Sequence, residues 1–524
     1  MRLTILGCCL LIPGLAFGLD APIAAPQKER KIGLEVSVPR HLQDSQEFEL
    51  PLPELLKHGK LLFNANWTEQ EGGGRPLSKG TGKQLTDPSQ PLVGRRAFNR
   101  VSAPDSNSCA GCHNMPYGIS GGGGDFVTSV FVLGHRFDFA SFDPQDKMPT
   151  RGSVDEQGKP MSLQTIGNVR ATTAMFGAGY IEMLARQMTA ELQASRDTLK
   201  LGETVELWAK GVYFGKLTRR KDATWDTKQV EGLSRMSIIA PTPLDRPSLV
   251  IRPWHQAGNA VSIREFSNNA FNHHHGIQTT ERFGRDTDLD GDGFANEMTR
   301  ADVTAVSLYQ AALAVPGQVI PRDPEIEKAV AVGEKVFSTI GCARCHIPSL
   351  ALDKEGWIFT EPNPNNPLTN LRQGDTKTVT MDLTSALLPQ PRPTPLLPDR
   401  NVVIVPAYTD LKLHDITDPD EPAEAEALDM NWFVWSPKFS GGNRRFLTKR
   451  LWGCANEPPY FHHGLFTTLR QAVLGHFGEA LAERKAFQAL PEYEQDSLIE
   501  FLKTLQILPP GTQQRVVDEN YQPR

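Results

Sequence analysis

Two stretches of the chain carry thiols and an imidazole at one spacing: Cys109-Ala110-Gly111-Cys112-His113 and, in the other half, Cys342-Ala343-Arg344-Cys345-His346. Each is a C-x-x-C-H element, the attachment signature of haem c. The chemistry needs this spacing because two thiols on one turn add across the haem vinyl groups while the next residue's imidazole reaches the iron. Cysteine pairs also bind zinc, but a zinc ribbon places its second pair roughly 15–20 residues after the first. Here most of a domain separates the pairs, and a histidine directly follows each. Two covalently bound haem c groups are therefore the expected cofactors, attached at Cys109, Cys112, Cys342 and Cys345, with His113 and His346 on the irons.

A second metal signature is Asp286-Thr287-Asp288-Leu289-Asp290-Gly291-Asp292-Gly293-Phe294-Ala295-Asn296-Glu297, which matches the calcium loop D-x-D-x-D-G-x5-E. Asp286, Asp288 and Asp290 supply hard oxygens, Asp292 at position seven offers its carbonyl, and Glu297 closes the site in bidentate fashion. A solvated acidic turn is the alternative. With no matching second loop, a structural calcium ion is expected, not a sensor. Just before it, Asn272-His273-His274-His275 puts three of the thirteen histidines in a row. Neighbouring residues cannot all point one way, so one or two, His274 or His275, could face a haem. The row could equally be a polar surface tract.

At 524 residues the chain is too long for one compact core, and two or three domains are expected. The net charge of -6 is spread along the length, so neither nucleic acid nor an anionic membrane is an implied partner. Met1-Arg2 and the apolar run from Leu3 to Phe17 read as a short secretory signal with a small-residue exit near Ala16-Phe17-Gly18. That run is too short to span a bilayer, so no integral membrane segment is expected after its removal. A lipoprotein reading at Cys8 is weaker, because the apolar run continues past it. Removal of the signal leaves the two pairs and Cys454, whose expected role is a buried small residue. Export to a periplasmic or secreted location agrees with haem c assembly.

The expected fold is mainly α, with two cytochrome c-like haem domains, long loop insertions and little β structure. The expected divisions are the signal (1–18), an N-terminal arm (19–90), a first haem domain with the calcium loop (91–320) and a second haem domain (321–510). Helical spacing predicts helices over Leu52 to Phe63, Met175 to Leu192, Val303 to Val315, Glu325 to Ile340 and Pro491 to Leu505. The methionines of the second of these could ligate iron, although core packing is the usual role of such a stripe. Gly121 to Gly124 lacks the Lys-Ser/Thr of a phosphate cradle and reads as a turn against the haem. The Pro-rich stretch from Pro362 to Pro398 reads as a long surface excursion.

The chain resembles the bacterial di-haem oxidoreductase family, related to the di-haem cytochrome c peroxidases. The resemblance rests on Cys109 to His113, Asn272 to Gly284, the Asp-rich loop, Cys342 to Pro348, Tyr408 to Asp415 and Leu451 to Gly478. Pro459-Tyr460-Phe461-His462-His463-Gly464 is similar to the PYFHDG element of those peroxidases, with His463 where Asp is common. The resemblance implies His476 as the second ligand opposite His346, giving a six-coordinate relay haem. It also implies an open first haem on His113 that takes peroxide or dioxygen, with a small redox protein as electron donor. A fainter echo of Leu451 to Gly464 runs from Asn168 to Glu182, as duplicated haem domains would leave. Glu182 falls where a peroxidase wants an acid, although a helix N-terminus also favours Glu there. Two rivals stay open: an electron carrier with both irons six-coordinate, and an oxygenase acting on a bulky organic substrate.

Overall fold

The computed structural model describes residues 32–73, 106–124, 127–130, 167–288, 292–396, 401–421, 425–432, 436–439 and 441–524. The expected signal segment and Asp290 lie outside these. Among the described residues, the α-helices longer than four residues are α1 (Leu52–Asn64), α2 (Ala178–Asp197), α3 (Ile263–Ala270), α4 (Arg300–Ala311), α5 (Pro324–Thr339), α6 (Leu469–Leu474), α7 (Leu481–Ala489) and α8 (Glu492–Thr504). The five helices expected from periodicity are α1, α2, α4, α5 and α8.

Helix α1 buries Leu55, Gly59, Leu62 and Phe63, one stripe at helical spacing. It lies against α4, which Thr299 and Asp302 start with reciprocal caps. Helix α5, capped by Asp323 and led by Pro324, buries Val330, Gly333, Val336 and Phe337 against α8. The two crossings are alike in detail. A Cβ at Gly59 would overlap the carbonyl oxygen of Ala305, and a Cβ at Gly333 that of Ser497, so only glycine permits either approach. Four residues after each glycine stands a phenylalanine. Phe63 packs on Tyr309 at 5.5 Å and on His113 at 6.2 Å, while Phe337 packs on Phe501 at 5.4 Å and on His346 at 6.3 Å. Tyr309 and Phe501 themselves follow Ala305 and Ser497 by four residues. One arrangement thus holds both C-x-x-C-H histidines, and burying each phenylalanine contributes about 2–3 kcal/mol.

The expectation of a mainly α fold with little β structure is overturned: 32% of the chain is helix and 16% is strand, a mixed α/β fold. Among the described residues the strands form six small sheets. Three strands, β3 (Thr204–Ala209), β4 (Val212–Arg219) and β5 (Trp225–Asp226), make an antiparallel meander, and β6 (Gly317–Val319) lies between β13 (Leu505–Gln506) and β14 (Val516–Val517). Two-stranded antiparallel pairs join β1 (Val127–Val130) to β2 (Asn168–Ala171), β7 (Leu350–Asp353) to β10 (Val402–Val405), β8 (Ile358–Glu361) to β9 (Val379–Asp382) and β11 (Leu413–Asp415) to β12 (Arg445–Leu447). The reason is visible in β7, β8 and β10, whose residues alternate between buried and half-buried, the two-residue period of a strand. The stretch expected as a surface excursion contains β9 and the buried Met381, Leu383 and Leu388. Tyr180 and Arg392 both donate to the Leu383 carbonyl, which anchors it to the core.

One large core cluster runs from Val38 through α1, α2 and α4 to Val403 and Leu411, and a smaller one surrounds Phe337, Cys454 and Phe501. The first core takes α1 from before residue 90 and Leu352, Phe359 and Val403 from beyond residue 320. Asp302, fully buried on α4, ties the preceding segment down by accepting from His41 and His58 at 2.7 Å each and from the Leu42 amide.

Candidate functional site

Cys109 to Cys112 form a single helical turn, and the chain then folds back so that Gly122 and Thr173 present their carbonyls to His113. The Nδ1 of His113 donates to these oxygens at 3.2 and 3.0 Å. The second motif repeats this design: His346 Nδ1 meets the carbonyls of Tyr408 at 3.2 Å and Lys449 at 3.1 Å. In both rings the proton is thereby fixed on Nδ1, which leaves Nε2 as a lone-pair donor. Burial pushes both imidazoles down to about 4, so both are neutral at ordinary pH, as iron ligation requires.

Each motif lines its own cavity. The second is about 530 Å³ and is bordered by Cys342, Cys345, His346, Phe461, His462 and His476. That size falls within the roughly 300–1,000 Å³ of cofactor and ligand sites. The His476 ring lies 6.3 Å from the His346 ring, and its Nδ1 donates to the Ala472 carbonyl at 2.7 Å. A metal between two imidazole nitrogens at about 2.0 Å each would set the ring centres roughly 6 Å apart, so the donor set fits an iron held from both sides. His476 stands two residues beyond the end of α6, not on its face. His463 Nδ1 accepts the Leu465 amide at 3.0 Å.

The first cavity is narrower, about 140 Å³, and is lined by Cys109, Cys112, His113, His255, His274 and His275 among others. The histidine row closes as one wide π-helical turn, Phe271–His275. His275 is tied through Nδ1 to the Ser106 carbonyl at 2.6 Å and touches the Cys109 sulfur at 3.4 Å. His274 is near enough to His113 and to His255 to help lower both, after burial. His255, with a left-handed φ of 60°, was not anticipated, since an isolated histidine gives no periodic signal.

The two cavities share a wall. Ala171, Thr172, Thr173, Gln256, Leu447, Thr448 and Lys449 line both. Gln256 pins the two segments, donating through Nε2 to the Ala171 carbonyl at 3.2 Å and accepting the Leu447 amide at 2.8 Å. The expected echo is present here in a different register. Thr173 to Gly177 plays for His113 the part that Lys449 to Gly453 plays for His346, and Gly177 and Gly453 share a left-handed φ.

Glu182 is placed elsewhere. It is fully buried, pairs with Arg186 at 2.5 Å, accepts the Ile263 amide at the start of α3 and is absent from the lining of both cavities. It therefore serves as a helix cap and an ion-pair partner. Met183 and Met188 are core. In the Asp-rich loop, Asp288 accepts the amides of Asp292 and Gly293, and Glu297 accepts that of Gln278. Asp286 is exposed and bonded to Asn296, next to Glu297. Cys345, Asp410 and His414 cluster within 4.8 Å. His414, however, donates to Asp410 at 2.9 Å and to Glu479 at 2.8 Å. Burial opposes its charge, but Asp410, the Cys345 sulfur and Glu479 prevail and raise it to about 11, leaving no lone pair for a metal.

No family model and no curated protein match this chain. Among solved structures it is similar to a chain of Kuenenia stuttgartiensis hydrazine synthase, at 13% identity over 92% of this chain and 100% of that one. The TM-score is 0.30, too low for the likeness to bear on fold or function. No helix among the described residues is long and apolar enough to cross a membrane.

Proposed function

We propose that this chain is an exported di-haem c oxidoreductase of the di-haem peroxidase type, taking peroxide at the first cavity and electrons through the second. The observation that supports this most is the repeated design. Two C-x-x-C-H turns each present a neutral imidazole, locked through Nδ1 by two carbonyls, into cavities that share a wall. Haem bound at these turns would supply a metal that changes charge in single-electron steps. Cys109 and Cys112, and Cys342 and Cys345, would hold the two groups. His113 and His346 would ligate them, and His476 would occupy the far side of the second. In the first cavity His274 and His255 are the residues that would hold or pass a proton to a bound ligand. Calcium at Asp288 and Glu297 would fix the loop that follows the histidine row.

A second reading, an electron carrier, is favoured by the closeness of His274 to His113, since a second imidazole there would close the first site. The test is a haem count followed by a ferric optical and EPR spectrum, repeated on His476→Ala. Two haems per chain, a high-spin fraction and peroxide consumption with a reduced cytochrome are expected. His476→Ala should lose a low-spin component. Wholly low-spin iron without turnover supports the carrier, and colourless protein from a maturation-competent host overturns both. Oxygen uptake on an organic substrate without peroxide turnover would replace the peroxidase reading with an oxygenase.

A further inference from the structure

The described residues that line the first cavity include three cations, Arg170, Lys449 and Arg450, and not one carboxylate. The second cavity is balanced, with Asp410, Glu457, Glu479 and Glu483 facing Arg344, Lys412, Lys449 and Arg484. Within the first lining, the polar atoms buried with no hydrogen-bond partner among the described residues include Trp254 Nε1, Thr448 Oγ1 and Arg450 Nη1. Buried donors are nearly always satisfied, and a desolvated cation still more so.

Two of the three are in contact, and the third lines the same cavity. The Arg450 guanidinium lies over the Trp254 ring at 5.5 Å, and its Nη2 is held by the Ala174 carbonyl at 2.8 Å. Thr448 lies two residues earlier in the shared wall. The nearest acid that acts on Arg450 is Glu457, and that carboxylate is already taken by Lys449 at 2.5 Å. The guanidinium is therefore fixed in direction, its Nη1 is buried, and the acid that acts on it is engaged elsewhere.

We infer that Trp254, Thr448 and Arg450 form a carboxylate-binding corner of the first cavity. Three donors of this kind, two neutral and one ionised, suit the two oxygens of a carboxylate, and charge-assisted bonds from arginine are the strong ones. The carboxylate has two possible sources: a propionate of a porphyrin held by His113, or a separate carboxylate ligand entering the same cavity. The first source rests on the function proposed above, and the corner itself does not. Arg450 acts here as a positioning residue, reaching from the second half of the chain into the first site.

The experiment uses the haem-loaded full chain, its haem count measured first, with R450Q, R450K, W254F and T448V. Potentials of both haems are followed by spectroelectrochemistry, and benzoate is titrated into the oxidised proteins. If a propionate occupies the corner, R450Q lowers the potential of one haem, R450K restores it, and the haem whose low-spin signal depends on His476 does not move. If a free carboxylate binds, benzoate causes a saturable spectral shift in the wild type that is lost in R450Q and weakened in W254F. Should R450Q fail to accumulate, W254F and T448V each remove one donor without removing charge and carry the same readouts. Unchanged potentials together with no benzoate response overturn the corner. If the protein carries no haem, the functional reading fails, and benzoate then reads the corner alone by raising the melting temperature of the wild type and not of R450Q; no rise overturns it.

Discussion

The two C-x-x-C-H sites share a frame and differ in their linings. Glycine crossing, packed phenylalanine and a pair of carbonyls on Nδ1 recur at both. Around that frame the second cavity is larger, electrostatically balanced and faced by His476, while the first is narrow, basic and ringed by His255, His274 and His275. A repeated backbone thus fixes where a ligand attaches, and what happens on the far side is left to residues outside the repeat. This is why the equivalence of the frames can be tested separately from the inequality of the cavities.

The largest effect expected is on haem content. Replacing Cys109 and Cys112 by Ala should remove one of two covalent haems, as should replacing Cys342 and Cys345, read by pyridine haemochrome. If either pair of replacements removes both, the sites do not mature independently. Next, Gly59→Ala and Gly333→Ala should each destabilise by about 3 kcal/mol in denaturant unfolding, because a methyl group must displace a helix carbonyl. A large loss at one glycine and none at the other would break the equivalence of the frames.

The first frame also carries a latch at Asp302. Burial disfavours charge on Asp302, yet its bonds from His41 and His58 outweigh this and hold it well below the usual carboxylate range; burial likewise opposes charge on His41, but Asp302 raises it above 6.5. The His41 contribution is therefore complete below pH 6.5 and is lost as pH rises through its raised value. The Asp302 contribution is present above about 3.8 and is lost as pH falls through its lowered value. Asp302→Ala should cost about 3 kcal/mol near pH 6 and flatten both limbs of the melting-temperature profile. An unaltered profile would show that the latch does not couple to folding. The smallest effect is expected from Gln256→Ala, which strands the Ala171 carbonyl in the shared wall at a cost of about 1 kcal/mol. It should shift the spectra of both sites, and a shift confined to one would mean that the wall is stiffer than its hydrogen bonds.

The C-x-x-C-H turns and the helices were legible because each depends on spacing along the chain, whereas His476 was implied only by the family resemblance and stands beyond α6, not on its face. The sheets were not: Val402 to Val405 and Leu350 to Asp353 are separated by a long segment, and no local pattern announces that they pair. The glycine and phenylalanine frame was within reach, since Gly-x-x-x-Phe stands in the helix ahead of each motif. The long gap between Phe63 and Cys109, against the short one between Phe337 and Cys342, hid the correspondence. Glu182 looked catalytic by position and is structural because its carboxylate is already engaged at Arg186 and Ile263. The Trp254, Thr448 and Arg450 corner joins residues almost two hundred positions apart, which no single sequence reveals.

The partition built from the ends of β2 and β12 has a kinetic meaning. Since the same peptide segments close both pockets, the pockets cannot swing apart as separately hinged lobes do. If electrons cross it as proposed, they should do so at a rate indifferent to solvent viscosity, with thickening agents such as sucrose slowing only encounters with outside molecules.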